Sequence, residues 1–377
     1  MINKKNKKYI PVGRQTVDRG DIKAVSDVLK SDWLTQGPDV KDFEKALATY
    51  VGAKYAVAVS SGTAALHIAY LSLGLKAGDE VITTANTFVA TANMLLAIGV
   101  KPIFCDIRLD TYNIDEEQIE KLITPKTKAI VPVHFAGVPC EMDRILEIAR
   151  KHNLSVIEDA CHALGASYHG RKIGNLSSMS IFSFHPVKSI TTGEGGAVLT
   201  DNEDFYNKML LLRSHGVFKD KNGFNVMESF GYNYRITDIQ TALGLSQIKK
   251  LDRFIGKRRV VPKWYEAELK AEPGIVLPKE NKNLKSAWHL YVIRVKDKKD
   301  RLPLYQYLRG ENIGVNFHYP AVYSHPYYRK NGFGGVNLKN ADLYSDTAIT
   351  LPIFPTIARK EVVFIADKIK SYFAGKK

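Results

Sequence analysis

Between residues 55 and 199, short apolar runs alternate with longer segments of helical spacing, and nothing else in the sequence narrows the choice of fold so far. The runs 55–59 (YAVAV), 80–83, 102–105, 129–133, 155–157, 180–184 and 197–199 read as buried strands. Between them, 64–73, 87–98, 115–122 and 141–152 read as helices. Strands buried on both sides need cover on both sides, and interleaved helices supply it. The expected fold is therefore α/β, an open and mostly parallel sheet with helices on both faces.

The pattern changes after about residue 235. Helices are expected over 236–251 and 254–269. Beyond Pro273 the chain reads as α+β, with a strand at 289–295, a helix at 302–312, a strand at 315–318 and a last helix at 360–373. Residues 1–250 are thus assigned to an N-terminal arm, helical over 21–29, and a large α/β domain, and residues 251–377 to a smaller α+β domain.

The net charge of +15 makes an anionic partner worth considering. Part of it sits at the ends, in Lys4, Lys5, Lys7, Lys8, Lys376 and Lys377, which are expected to be solvated tails. No basic stripe with interleaved aromatics occurs in the middle, so nucleic acid is not expected. Cys105, Cys140 and Cys161 are odd in number and widely spaced, which suits neither a disulfide framework nor a metal site. A reducing, cytoplasmic setting follows. The first lysines precede no apolar signal segment. The most apolar stretch, near 94–100, is far below the ~20 residues a membrane span needs.

Ligands of open α/β sheets bind beyond the carboxyl ends of the strands, and three such ends carry reactive residues. The first is Ser60-Ser61-Gly62-Thr63 ahead of a helix. It suits a phosphate, through free N–H groups and hydroxyls, or equally a plain N-capped turn. The second is Glu158-Asp159-Ala160-Cys161-His162. Its acids are either a charge pair at a helix start or a carboxylate for a protonated ring nitrogen. The third is His185-Pro186-Val187-Lys188, before Gly193-Glu194-Gly195-Gly196. Lys188 is either a surface charge or a desolvated amine able to form a Schiff base, and His185 reads as a structural hydrogen-bonder. One small molecule matches all three functional readings, with its phosphate, pyridinium and aldehyde: pyridoxal 5′-phosphate (PLP).

The run SFHPVKSITTGEGGAV (183–198) resembles the lysine motif of the DegT/DnrJ/StrS sugar aminotransferase family. So do SSGTAAL (60–66), TTANTFVATANM (83–94), EDACHALG (158–165), LRSHG (212–216) and GYNYRITDIQTALGLSQIKKL (231–251). The resemblance extends from WLTQGP (33–38) to HYPAVY (318–323). It implies a PLP-dependent, aspartate-aminotransferase-like fold of type I. It implies Lys188 as the Schiff-base lysine and proton carrier, Asp159 at the ring nitrogen, His162 near the ring 3-oxygen and Phe88 on the ring face. It places Gly62, Thr63 and Ser183 at the phosphate, and Asn233 at the phosphate of the other subunit of a homodimer. Trp33, Leu34, Thr35, Phe317, His318 and Tyr319 would line a sugar-nucleotide pocket. The implied reaction moves an amino group from L-glutamate, leaving 2-oxoglutarate, to C4 of a UDP-linked 4-keto-6-deoxy sugar. Attack at C3, another nucleotide sugar and a PLP-binding regulator without turnover are the alternatives. Val12 stands where close relatives often carry a tyrosine.

Overall fold

The computed structural model describes residues 9–279 and 283–376. Lys4, Lys5, Lys7, Lys8 and Lys377, expected as solvated charges, lie outside them. Lys376 is exposed but is not simply solvated: it pairs with Asp300 and sits 5.0 Å from the centre of the Tyr372 ring.

Seven strands make the large sheet: β1 (Tyr55–Val59), β2 (Glu80–Thr84), β3 (Lys101–Cys105), β4 (Thr127–Val131), β5 (Ser155–Asp159), β6 (Met179–Ser183) and β7 (Gly196–Thr200). Their order is β1-β7-β6-β5-β4-β2-β3. Strands β2 to β6 pair in parallel. β7 runs antiparallel between β1 and β6. The sheet is mostly parallel, as the alternation predicts, and β7 is the exception.

Successive side chains leave a strand on opposite faces, and two cores result. Ala58, Ile82, Ile130 and Phe182 face one, with Phe43, Leu47, Ile145 and Ile148 from helices α2 (Pro38–Val51) and α5 (Met142–Lys151). Val57, Val81, Val131 and Ile181 face the other, with Leu66, Ile68, Leu95 and Met209 from α3 (Gly62–Ser72), α4 (Ala90–Ala97) and α6 (Glu203–Arg213). Truncating a fully buried ring such as Phe182 to alanine would cost about 3–5 kcal/mol.

The helix starts explain how the sheet's upper edge is fixed. Ahead of α3, Ser61 Oγ accepts from Ala64 N at 3.1 Å. Helix α1 (Arg19–Val28) closes a capping box between Asp18 and Asp21. α2 has no side-chain cap of its own at Gly37. Asp238, at the start of α7 (Asp238–Ile248), supplies one from 201 residues away by accepting from Gly37 N at 2.8 Å and from Asp39 N at 3.1 Å. α2 ends at Gly52, whose φ of 84° lets its N–H return to Ala48 O.

A second unit carries an antiparallel sheet of β8 (Ile275–Val276), β9 (Tyr291–Val295) and β10 (Ala348–Leu351), packed by α9 (Arg301–Gly310) and α10 (Arg359–Ala374). Helix α8 (Leu251–Leu269) runs through both units. Its Leu251 and Ile255 lie in a core of the large sheet, and its Val261, Tyr265 and Leu269 in the second core. The arm reaches both units: Asp21 of α1 accepts from Gln247 and Lys250, while its first described residues turn to the second unit. Ile10 is buried in the second core, and its backbone bonds to Asn312 and Gly314.

Two expected elements differ. The helix read from 87 starts only at Ala90, leaving Thr87 and Phe88 in the preceding turn. The strand read at 315–318 is a single bridge, Asn316 to Thr350. Beyond the bridge, His318 O accepts from Tyr344 Oη. No helix among the described residues is long and apolar enough to cross a membrane.

Candidate active site

A pocket of about 550 Å³ opens where β1, β5 and β6 end. Ser61, Gly62 and Thr63 follow β1, Asp159, Cys161 and His162 close β5, and Ser183 and Lys188 close β6. The second unit adds His289, Phe317, His318 and Tyr319, and the arm adds Val12 and Gly13.

The β1 end is a cradle built by close backbone approach. A Cβ on Gly62 would lie 2.9 Å from Ser183 Cβ, and one on Gly196 would lie 2.4 Å from Ser61 O. Only glycine lets β7 begin directly beneath the 61–62 peptide, which explains the glycine-rich turn before it. The unpaired N–H groups of the first turn of α3, with their partial positive charge, open at the same place.

The two acids of β5 diverge. Glu158 is fully buried and accepts from His134 Nε2 at 2.9 Å, Ser177 Oγ at 2.9 Å and Ser180 Oγ at 2.8 Å. Cys140 N–H donates to His134 Nδ1, so the ring proton sits on Nε2, toward Glu158. Burial alone would raise the Glu158 carboxyl, but the bonds from His134 and the serines outweigh it and hold the carboxyl below its ordinary range. Asp159 turns into the pocket. Its Oδ2 accepts from Thr91 Oγ1 at 2.7 Å and its Oδ1 from Cys161 N at 3.2 Å. No helix starts after either acid, so the helix-end reading does not apply.

Lys188 lies in the pocket wall and is not a solvated surface charge. Burial pushes its ammonium below the ordinary lysine range, Cys161 and Asp159 oppose this, and Arg258 adds to it. Arg258 is itself buried. It donates to the carbonyls of Val187, Trp288, His289 and Ile353, and burial lowers its guanidinium to about 10. His185, read as a structural hydrogen-bonder, is exposed at the pocket rim because β6 has already left the sheet.

Three imidazoles surround the amine. His162 and His289 pack ring to ring at 4.4 Å, and the Nδ1 of each is buried with no partner among the described residues. Burial first, then the charge of Lys188, pushes His162 well below its ordinary value. His289 moves the same way through burial and then His162. His318, 2.9 Å from Thr350 Oγ1, falls to about 4 through burial and Lys188. Phe88 is 55% exposed, so it is not core, and its ring stands 5.9 Å from that of Tyr319.

The donor set suits PLP. The cradle has no room for a Cβ, the orphaned His162 Nδ1 awaits a polar partner, Phe88 offers an uncovered ring face, and the Lys188 amine is desolvated.

Four expected site residues are not brought into the pocket of their own chain. Trp33, Leu34 and Thr35 are exposed on a segment tied to the start of α7, through a Thr35–Thr237 bridge and an Asp238 N to Leu34 O bond. Asn233 is exposed nearby and is bridged to Ser214. Anchoring to α7 holds residues 33–35 outside, and the Ser214 bridge does the same for Asn233. In the other direction, the pocket includes Val12, Thr87, Thr91, Glu194, His289 and Asn316, none of which the sequence reading selected as site residues. His289 sits in an apolar strand pattern, where a lone histidine reads as core. Thr91 reads as an ordinary helix residue.

Fold and donor set together define a PLP-dependent aminotransferase of fold type I. The chain belongs to the DegT/DnrJ/EryC1/StrS aminotransferase family, whose sequence model matches residues 15–370. The UDP-4-amino-4,6-dideoxy-N-acetyl-beta-L-altrosamine transaminase of Campylobacter jejuni is 40% identical over 367 residues, 96% of this chain and 97% of its own. Among solved structures, Helicobacter pylori PseC, an aminotransferase involved in the biosynthesis of pseudoaminic acid, matches with a TM-score of 0.95 and 37% identity, over 98% of this chain and 100% of its own. Spr1654 from Streptococcus pneumoniae, solved in a PLP form, matches with a TM-score of 0.92 and 29% identity, over 97% of this chain and 98% of its own.

Proposed function

We propose that this enzyme transfers the amino group of L-glutamate to C4 of UDP-2-acetamido-2,6-dideoxy-β-L-arabino-hex-4-ulose. The products are 2-oxoglutarate and UDP-4-amino-4,6-dideoxy-N-acetyl-β-L-altrosamine. The observation that carries the chemistry is the meeting of Lys188, Asp159 and the 61–63 cradle in one pocket. The likeness to the Campylobacter jejuni and Helicobacter pylori enzymes supports the choice of sugar.

When bound, PLP supplies an aldehyde that links to amines and a ring that takes up the electron pair left when a carbon loses its proton. Lys188 anchors the cofactor and then, as a free amine, accepts the proton from the donor's Cα. In the second half-reaction it gives a proton back at the sugar carbon. Its desolvated surroundings favour the neutral amine this requires. Asp159 would present its carboxylate to the ring nitrogen. Gly62, Thr63 and Ser183 would hold the phosphate, His162 would lie near the ring 3-oxygen, and Phe88 would cover the ring. Phe317, His318 and Tyr319 line the sugar side.

Asn233, Trp33, Leu34 and Thr35 act on the neighbouring subunit's site in a homodimer. Their exposure outside their own pocket supports this, as do the exposed Phe224, Met227 and Phe230 on the segment leading to Asn233. The excess of positive charge speeds the encounter with an anionic sugar nucleotide.

The test is incubation of the purified enzyme with PLP, L-glutamate and a panel of UDP- and dTDP-linked 4-keto sugars, read by mass spectrometry and NMR. A UDP-linked product with its new amine at C4 is expected. An amine at C3, or preference for another sugar, overturns the substrate assignment.

A further inference from the structure

The Asp159 carboxylate is gripped from two sides. Its Oδ2 accepts from Thr91 Oγ1, 68 residues away on the first turn of α4. A threonine hydroxyl has one proton to give. Phe88 O lies 3.3 Å from the same hydroxyl, but the charged Asp159 oxygen at 2.7 Å is the nearer and stronger acceptor; with the proton directed to Asp159, the 2.8 Å contact between Thr91 Oγ1 and Thr87 Oγ1 makes Thr87 the donor. The bonds therefore run in one direction, from Thr87 to Thr91 to Asp159. The Thr91 backbone is fixed as well, since Tyr70 Oη donates to Thr91 O at 3.1 Å. Tyr70, Thr87 and Thr91 are all buried, so little water competes for these bonds. Cys161 N–H holds the other carboxylate oxygen, Oδ1. With one oxygen bonded to α4 and the other to the turn that follows β5, the carboxylate cannot turn about its axis without breaking one bond.

We propose that Thr91 is a positioning residue for the reaction, its hydroxyl fixing the plane of the Asp159 carboxylate with Thr87 as the donor behind it. The proposal rests on the reading that Asp159 meets the ring nitrogen of PLP. A carboxylate free to rotate would meet a ring held at its phosphate and aldehyde ends in the wrong plane. Hydrogen bonds need direction as well as distance, so Thr91 sets whether the acid's contact with the ring is made well.

The test uses holoenzyme of the wild type and of Thr91→Val, Thr91→Ser, Thr87→Val, Asp159→Ala and the Thr91→Val/Asp159→Ala pair. Valine keeps the shape of threonine and removes the hydroxyl, whereas serine keeps the hydroxyl. The readouts are the PLP dissociation constant and the pH midpoint of the Schiff-base absorption. Thr91→Val is expected to weaken PLP binding about tenfold, the worth of one hydrogen bond to a charged group, and to move the pH midpoint. Thr91→Ser restores both. Thr87→Val moves both the same way by less. In the Asp159→Ala background, Thr91→Val adds nothing, because both act through one carboxylate. If Asp159→Ala leaves affinity and absorption as in the wild type, the reading of Asp159 itself falls, and the proposal with it. If Asp159→Ala changes them while Thr91→Val and Thr87→Val do not, the reading of Asp159 survives and the role of Thr91 is overturned. It is also overturned if serine fails to restore the wild-type values, or if the valine effect persists at full size without Asp159.

Discussion

Three imidazoles and an amine share the pocket, and burial favours the uncharged form of each. This has a consequence in acid. His318 titrates at about 4 when folded, against an ordinary 6.5, so the unfolded chain binds more protons between those values. Stability is therefore highest above pH 6.5 with respect to this group, and is lost as the pH falls through 4. His318→Gln is expected to flatten the fall of the urea midpoint between pH 6.5 and 4, and an unchanged slope would assign the acid sensitivity elsewhere. The reactive pair gives a second prediction. Lys188→Ala abolishes the Schiff base and lowers turnover by at least about 10²–10⁴-fold, the usual worth of positioned acid–base catalysis. Borohydride then fixes PLP on the wild-type chain at the peptide carrying Lys188, and a reduced adduct on another lysine would contradict the assignment. Asp159→Asn is expected to keep PLP and lose most turnover, and near-normal rates would remove Asp159 from the mechanism.

At the scale of elements, the cap that Asp238 provides for α2 joins residues 201 apart in sequence. Asp238→Ala leaves Gly37 N and Asp39 N without their acceptor and should cost about 1–2 kcal/mol. Asp238→Asn keeps an acceptor and should cost less. The urea midpoints of the two variants, compared with the wild type, decide it. This case also shows what the sequence could and could not tell. The buried strands were legible because a strand covered on both faces needs an unbroken apolar run, as in YAVAV. The three reactive strand ends were legible because a glycine cradle, an acid and a lysine have no common structural reason to follow three strands. α2 was not read as a helix, and its side-chain cap lies in distant sequence. Strand β10, Ala-Ile-Thr-Leu, lies outside the strand–helix alternation that marks equally short runs such as 155–157, so nothing singles it out in the sequence. His289 and Thr91 were passed over because their neighbours are apolar and only the fold brings them to Lys188 and Asp159. The exposed position of the 33–35 segment depends on a bond to residue 238, which no local pattern encodes.

On the scale of the whole molecule, the proposed homodimer with shared sites makes a sharp prediction. In a mixed dimer of Lys188→Ala and Asn233→Ala chains, one site carries both lesions and the other carries neither. Random reassortment of equal amounts of the two inactive variants should therefore restore about a quarter of the wild-type activity, as two-fold symmetry requires. Failure to recover activity after subunit exchange, demonstrated by mass, would assign Asn233 to its own chain's site or to none. Helix α8 bears on how such sites fill and empty. It is a beam set into two walls, seated at one end in a core of the large sheet and at the other in the second core. Near its middle, the guanidinium of Arg258 is bolted to carbonyls on both sides, Val187 in one unit and Trp288, His289 and Ile353 in the other. Swinging these walls apart like a door would have to break those bonds. Traffic of a molecule as large as a sugar nucleotide then depends on the doorway itself, where Phe88 and His185 already stand in solvent.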